Sequence, residues 1–372
     1  MTMGGMNLRS AVRHLAAGDL DTVRRGLDTL LRDAVGYDIA AISTVDPATL
    51  LWTSCYVSGI DEAGSRDRER LLFDLEFCGE DLNGYAELAA RRVPVATLRQ
   101  ATGDDLAKAA RWRLLLRRLG VTDELRAVLR SAGQCWGTVT LYRTGDAPVF
   151  TARDVALVAE AGTAMADVFR LTLLRAALGV PGGLEHPPGM LLVHPDGAVG
   201  PVSEAAERWL SMLDDRGRVP SVVQSVAAAV RAGNPMARAA VPSRSGRYVV
   251  LHGSPVSGTT VEDRVVAVII EGARPIVLSD VIVNAHGLTP RERDITGLAA
   301  QGRSTRQIAN ELDISPFTVA DHLKSVFSKV GVQSRSELVA AVYHQHYQPK
   351  ADQGAQPGPY GWYLDHNVVS TR

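Results

Sequence analysis

Four helix starts follow one another between Leu288 and Tyr343, each with its own capping chemistry, and no other stretch of the chain is as tightly constrained. Thr289-Pro290-Arg291-Glu292 puts a hydroxyl three residues ahead of a glutamate, with proline at the first helical position, which is a capping box. Its helix body is Ile295, Leu298 and Ala299, up to Gly302. Ser304-Thr305-Arg306-Gln307 is a second box, heading a short helix that buries Ile308, Ala309 and Leu312. Ser315 and Pro316 start a third, on which Val319, Leu323, Val326, Phe327 and Val330 share one face and Gly331 ends it. Ser334-Arg335-Ser336-Glu337 caps a fourth. Two short helices joined by a tight turn form a helix-turn-helix, in which the second helix of the pair enters the major groove of DNA.

At about 100° per residue, Phe317, Asp321, Lys324, Ser325 and Ser328 lie opposite the apolar stripe of the third helix. These residues are expected to face DNA. The N-termini of helices two and three offer Ser304, Ser315 and Thr318, with His322 one turn further on. Arg303, Arg306, Lys329 and Arg335 flank them, and the whole set suits phosphate contacts. Charge adds little, since Gly287 to Gln345 holds seven basic and six acidic residues. Binding should therefore lean on geometry and on dimerisation. Lys108, Lys324, Lys329 and Lys350 are the chain's lysines, so two of them fall on this helix.

The run LTPRERDITGLAAQGRSTRQIANELDISPFTVADHLKSVFSKVGVQSRSEL resembles, nearly end to end, the DNA-binding domain of LuxR-type transcriptional regulators. That pattern is LTPRE, a glycine, a polar-IA segment, S-x-x-TV, H-x and a closing K-x-G-V-x-SR. The resemblance implies base contacts from the residue after the TV pair and from the lysine two past the histidine. These fall on Ala320 and Lys324, with Val319, Asp321 and Ser325 beside them. The family often has lysine or another polar residue where this chain has Ala320. Alanine can still touch a thymine methyl, but one hydrogen-bonding reader is lost.

Upstream, apolar residues recur at helical spacing from Leu20 to Val35, and the strand-like runs IAAISTV and LLWTSCYV follow around the turn Asp46-Pro47. A charge-rich stretch, Asp61 to Arg70, separates them from a basic helical pattern over Asp105 to Leu119. Strands LRAVLR and CWGTVTLYR then flank a Ser131-Ala132-Gly133-Gln134 turn. Thr151 and Asp154 cap a long helix whose Leu157, Val158, Ala161, Met165, Phe169 and Thr172 keep a near-heptad spacing toward Leu178, suited to pairing with a second copy. This region resembles a GAF domain, most closely over LRAVLRSAGQCWGTVTLYRTGDAPVFTARDVALVAEAG. A Gly/Pro linker at Gly179 to Gly183 leads to the strand MLLV, the turn Pro195-Asp196-Gly197, helices Ser203 to Leu213 and Ser221 to Ala232, and strands ARAAV, RYVVLH and VVAVII. This part resembles a PAS domain, with Ser203 where asparagine is usual.

The expected fold is α+β: two mixed α/β sensor domains, GAF-like (1–178) and PAS-like (179–276), then a linker (277–286) containing a short helix from Val277. An all-α four-helix helix-turn-helix domain (287–346) and a tail without periodicity (347–372), expected to be disordered, complete it.

Forty basic against 41 acidic residues leave a net charge of −1, so any nucleic-acid contact must come from a local patch. The three cysteines, Cys55, Cys78 and Cys135, are too scattered for a disulfide framework or a CxxC pair. Cys55 and Cys135 read as core residues, and a redox-sensing Cys78 in the loop-like FCGED is the minor alternative to a structural one. Arginines interrupt the N-terminus where a signal peptide needs an apolar run, and no segment is long enough to span a bilayer. A cytoplasmic protein without membrane contact is expected. No histidine lies between Leu15 and Glu185, which argues against histidine-held haem in the first domain, while His194 and His252 read as ordinary strand residues. The PAS-like segment has no cysteine for a flavin adduct. Cofactors and metals are not expected, and the sensed ligand is left open. Lys108, Arg111, Arg113, Arg117 and Arg118 with Trp112 read as a solvated or dimer-facing basic helix rather than a site for an acidic ligand or DNA. The N-terminal region lacks the early acidic pair of a phosphoacceptor domain, and GxxxxGK[ST], GxSxG and HExxH are absent, so neither phosphorylation, ATP nor enzymatic activity is supported.

The sequence thus reads as a homodimeric regulator of double-stranded DNA acting with RNA polymerase, its activity set at tandem sensor domains. The alternative is a signalling scaffold whose sensor and C-terminal domains bind proteins.

Overall fold

The structure, a computed structural model, describes residues 7–60, 66–77, 81–178, 186–213, 219–244, 248–256, 264–273, 286–300, 303–335, 337–338, 356–357 and 363–364. The linker at Gly179 to Gly183, the connector from Val277 to Ala285, Cys78 and Gly302 lie outside these. The chain divides into two units, residues 1–173 with 186–272, and residues 174–185 with 273–372.

In the first unit a short α1 (Leu8–Arg13) precedes α2 (Leu20–Val35). Asp19 caps α2 by accepting from Thr22 N at 2.8 Å, and Val23, Leu27 and Leu31 are fully buried, as their spacing requires. The hairpin β1 (Ile39–Val45) and β2 (Trp52–Ser58) forms where expected. Then come α3 (Arg66–Phe77), α4 (Tyr85–Ala90), β3 (Val95–Thr97), α5 (Leu98–Thr102), α6 (Ala110–Leu114), β4 (Val121–Ser131), β5 (Gln134–Thr144) and α7 (Ala152–Leu178). The strands form one antiparallel sheet in the order β2-β1-β5-β4-β3.

Register sorts the two faces of this sheet, because residues directly opposite across a ladder point the same way. Leu125 opposes Leu141 and Ala127 opposes Val139, giving an aliphatic face. Phe169 of α7 lies against Gly137 on that face, so close that an added Cβ would sit 2.7 Å from the ring. Val158, Ala161, Met165, Phe169 and Thr172 are buried in the fold and Leu157 is half-buried. The near-heptad stripe read as a pairing surface is therefore core, which corrects that expectation. On the other face Glu124 opposes Tyr142 and Arg126 opposes Thr140, and these polar residues are also buried.

The helices from α3 to α6 satisfy that polar face. Arg111 donates to both oxygens of Glu124, at 3.1 and 2.9 Å from Nε, and to Asp81 Oδ2 at 3.0 Å from Nη1. Arg126 bonds Glu76 and stacks over the Tyr85 ring at 3.8 Å. The basic pattern over Asp105 to Leu119 is not one helix. It breaks into a turn at Leu106–Lys108, α6 and a turn at Leu116–Leu119, separated by extended backbone at Ala109 and a non-helical Leu115, and Arg111, Leu115 and Leu116 are buried. Trp112 donates its indole N–H to Val121 O at 3.0 Å. Cys135 is buried on β5, which pushes its thiol up to about 12 and keeps it protonated at neutral pH.

The second sheet contains β6 (Gly189–Val193), β7 (Val199–Val202), β8 (Ala237–Pro242), β9 (Tyr248–Pro255) and β10 (Val266–Gly272), in the antiparallel order β7-β6-β10-β9-β8. Between β7 and β8 run α8 (Glu204–Met212), capped by Ser203, and α9 (Ser221–Arg231). The sequence SVVQSVAAAVR is apolar almost all round, and α9 is correspondingly buried from Val222 to Val230. One side meets the second sheet, where a Cβ on Gly253 would lie 2.4 Å from Val226. The other joins the first sheet's core, with Ala228 in one cluster with Trp52, Phe73 and Tyr85. Charged contacts reinforce the seam: Arg231 donates to Asp74 Oδ1 of α3 at 2.7 Å, and Arg70 donates to Pro195 O at 2.7 Å. Both sheets accordingly fall within one unit.

In the second unit α10 (Pro290–Ala300), α11 (Thr305–Glu311) and α12 (Pro316–Val330) are followed by the opening of a fourth helix. The described part of the tail pairs β11 (Gln356–Pro357) with β12 (Tyr363–Leu364), two residues each, where the sequence had pointed to no structure.

Candidate nucleic-acid interface

Each helix start in the second unit carries the cap read from the sequence. Glu292 N donates to Thr289 Oγ1 at 3.3 Å and Thr289 N to Glu292 Oε2 at 2.6 Å, which closes the first box. Ser304 and Gln307 close the second reciprocally, at 3.3 and 2.8 Å. Ser315 accepts from Thr318 N at 3.0 Å, with Pro316 at the first position of α12. At the fourth, Ser334 Oγ accepts from Glu337 N at 3.1 Å, while Glu337 reaches back to Gln333 N at 2.7 Å. Asp313 adopts a left-handed φ of 52° in the turn between α11 and α12. Leu288, Ile295, Ala299, Ile308, Ala309, Val319, Leu323, Val326 and Leu338 form the shared core.

A buried carboxylate ties the first helix to the third. Glu292 accepts from Ser325 Oγ at 2.6 Å and from Lys329 Nζ at 2.9 and 2.6 Å, besides the bond from Thr289. Burial by itself would raise the Glu292 pKa, but the bonds from Lys329, Ser325 and Thr289 outweigh it and bring the carboxyl from 4.5 down to about 2. Arg335 is turned inward too, donating to Ala299 O at 3.2 Å and to Arg303 O, and Arg291 donates to Leu312 O. Glu292 thus joins α10 to α12, while Arg335 and Arg291 join α10 to the start of the fourth helix and to the end of α11.

The site residues expected from the sequence separate accordingly. Phe317, Asp321, Lys324 and Ser328 form the exposed face of α12, with the Lys324 side chain 78% exposed and Asp321 Oδ1 3.8 Å from its ammonium. Ala320, Thr318 and His322 are half-buried at its edge, and Ser304, Ser315, Arg303 and Arg306 are exposed around it. Val319 is fully buried in the core, so it cannot reach a base edge; its place in the apolar periodicity outweighs its place beside the TV pair. Ser325 and Arg335 are half-buried and bonded to Glu292 and to Ala299 O respectively, whereas Lys329 bonds Glu292 while remaining exposed to solvent. Glu292 read from the sequence as a cap alone; its second role shows only once Ser325 and Lys329 are placed opposite it.

An α12 with one face in the core and the other presented beside two capped N-termini defines a helix-turn-helix domain. Comparison with known proteins agrees: residues 286–342 match the family described as bacterial regulatory proteins, luxR family, and residues 19–168 match the GAF domain. The chain thus carries an N-terminal GAF domain and a C-terminal luxR-family domain. Among similar proteins is the monoamine regulon transcriptional regulator of Klebsiella aerogenes, 45% identical over 56 residues, which are 15% of this chain and 25% of that one. The HTH-type transcriptional regulator MalT of Yersinia pestis is 40% identical over 58 residues, 16% of this chain and 6% of the other. The similarity thus spans a quarter or less of these regulators. The solved VqmA dimer of Vibrio cholerae is 14% identical, covering 46% of this chain and 84% of that one, with a TM-score of 0.18. Among the described residues, no helix is long and apolar enough to cross a membrane, and no cluster of three or more His, Cys, Asp or Glu could hold a metal ion.

Proposed function

We propose that this chain is a sequence-specific transcriptional regulator that binds double-stranded DNA through α12. The observation that carries the reading is the exposed polar face of α12, held by a buried clamp beside the capped N-termini of α11 and α12. Lys324 and Asp321 are the base readers that could address guanine and cytosine, with Ala320 beside them for a thymine methyl. Ser304, Ser315, Thr318 and His322, with Arg303 and Arg306, are assigned to phosphates. Lys329 and Arg335 hold the domain together. In this reading the protein acts in the cytoplasm as a homodimer on two-fold half-sites about one helical turn apart, with RNA polymerase as a further partner. The GAF domain and the second sheet, read as PAS-like, receive the signal. Because α9 is shared between them, a ligand or partner at either would act on one packed body, and only its differential affinity for two arrangements could alter DNA binding.

Replacing Lys324 by alanine should weaken binding to a selected duplex by about 1 to 3 kcal/mol, with folding unchanged because the side chain is solvent-exposed. Fluorescence anisotropy with the full chain measures this. An unaltered affinity would remove Lys324 from the base-reading set. Affinity should also fall steeply with salt, whereas a protein scaffold would bind DNA weakly and without sequence preference.

A further inference from the structure

Phe317 is an anomaly on α12. Phe73, Phe150 and Phe169 are buried and Phe77 and Phe327 pack against cores, but the Phe317 ring is 74% exposed. It follows Pro316 at the start of a capped 15-residue helix, so the backbone that carries it is helical from its first turn. On that helix Asp321 lies one turn further and Lys324 two, on the same face. Among the described residues of the second unit it is the one exposed large apolar side chain, since Val57, Val93, Leu114, Val149, Met190, Met236 and Ile269 all belong to the first. A lone ring amid aspartate, lysine and serine is too small an apolar surface for a protein partner. It does fit a major groove, whose one apolar feature is the thymine C5-methyl group.

We propose that Phe317 is a specificity-determining residue that reads thymine methyl groups, with Ala320, three residues on, completing a two-residue apolar strip. The inference rests on the DNA-binding reading above and deepens it. It assigns an A·T step in each half-site beside the pairs that Lys324 and Asp321 read.

The test uses the full chain and a duplex selected from a random library, with each thymine replaced in turn by deoxyuridine, which removes the methyl and nothing else. Wild-type affinity is expected to fall about three- to five-fold at one or two thymines per half-site, the scale of one methyl group taken out of water. Phe317→Ala should bind more weakly and no longer distinguish thymine from deoxyuridine there, while Phe317→Leu should keep part of the discrimination. A Phe317→Ala variant that keeps both its affinity and its response to deoxyuridine would overturn the assignment. Lys324→Ala separates this failure from that of the wider reading: a loss with Lys324→Ala and none with Phe317→Ala removes Phe317 alone. A wild-type chain that selects no sequence removes both.

Discussion

Replacing Glu124 by alanine is expected to destabilise the first unit by about 3 to 5 kcal/mol, the usual result of leaving one member of a buried ion pair without its partner. Arg111 and Glu124 are 3% and 1% exposed, so water cannot take over the lost contact. Asp81 remains within 3.0 Å of Arg111, but it approaches Nη1 and leaves the Nε and Nη2 donors that Glu124 accepted. Burial alone would lower the Arg111 pKa, and the Glu124 and Asp81 carboxylates reverse this, so the guanidinium stays charged and its isolation is costly. Urea unfolding of the full chain, followed by the fluorescence of Trp52, Trp112 and Trp136, measures the loss. As a control, Glu87→Ala breaks the exposed pair with Arg91 and should change stability by about 1 kcal/mol or less. Equal effects from the two substitutions would contradict the account of a buried polar face that must be fully paired.

The second large effect is pH-dependent and belongs to Glu292. Its folded pKa of about 2 lies below the ordinary 4.5, so the folded domain favours the ionised form. The stabilisation is therefore fully present above about pH 4.5 and is lost as pH falls through the interval down to about 2. Water reaches the Lys329 side chain, so screening leaves only about 1 to 2 kcal/mol of this shift as stability. Glu292→Gln keeps the shape of the side chain but removes the charge, and should lower the stability of the helix-turn-helix domain by about that amount at pH 7. The gap between variant and wild type should close as pH approaches 2. Protection of the α12 amides against hydrogen exchange in the full chain, corrected for the intrinsic rates, reports the difference. A gap that stays constant with pH would mean that the Glu292 charge contributes nothing to the clamp.

How far these features could be read from the sequence depended on how local their causes are. Capping is local, so Thr289, Ser304, Ser315 and Ser334 marked their helix starts, and Thr151 and Ser203 did the same upstream. Strands of alternating pattern such as β4 and β5 were equally legible. α3 was hidden because RDRERLLFDLEF begins as a charged run; its Asp74 and Glu76 are spent on Arg231 and Arg126, which lie far off in sequence. Arg111 looked like a surface residue for the same reason, since nothing nearby announces Asp81 and Glu124. β7 went unread because VGPV carries turn chemistry and pairs only as an edge strand. In the helix-turn-helix domain, periodicity placed Phe317, Asp321, Lys324 and Ser328 outward as found. Val319 was drawn into the contact set by its neighbourhood in a motif, against its own place in the apolar stripe.

The most direct test of the central claim is a selection from a random duplex library by the full chain, followed by affinities for the enriched duplex and a scrambled one at fixed physiological salt. The account predicts a two-fold-related consensus and a preference of about 10³ or more for the enriched duplex, with affinity falling steeply as salt rises. No enrichment, with equal affinity for both duplexes, would contradict it.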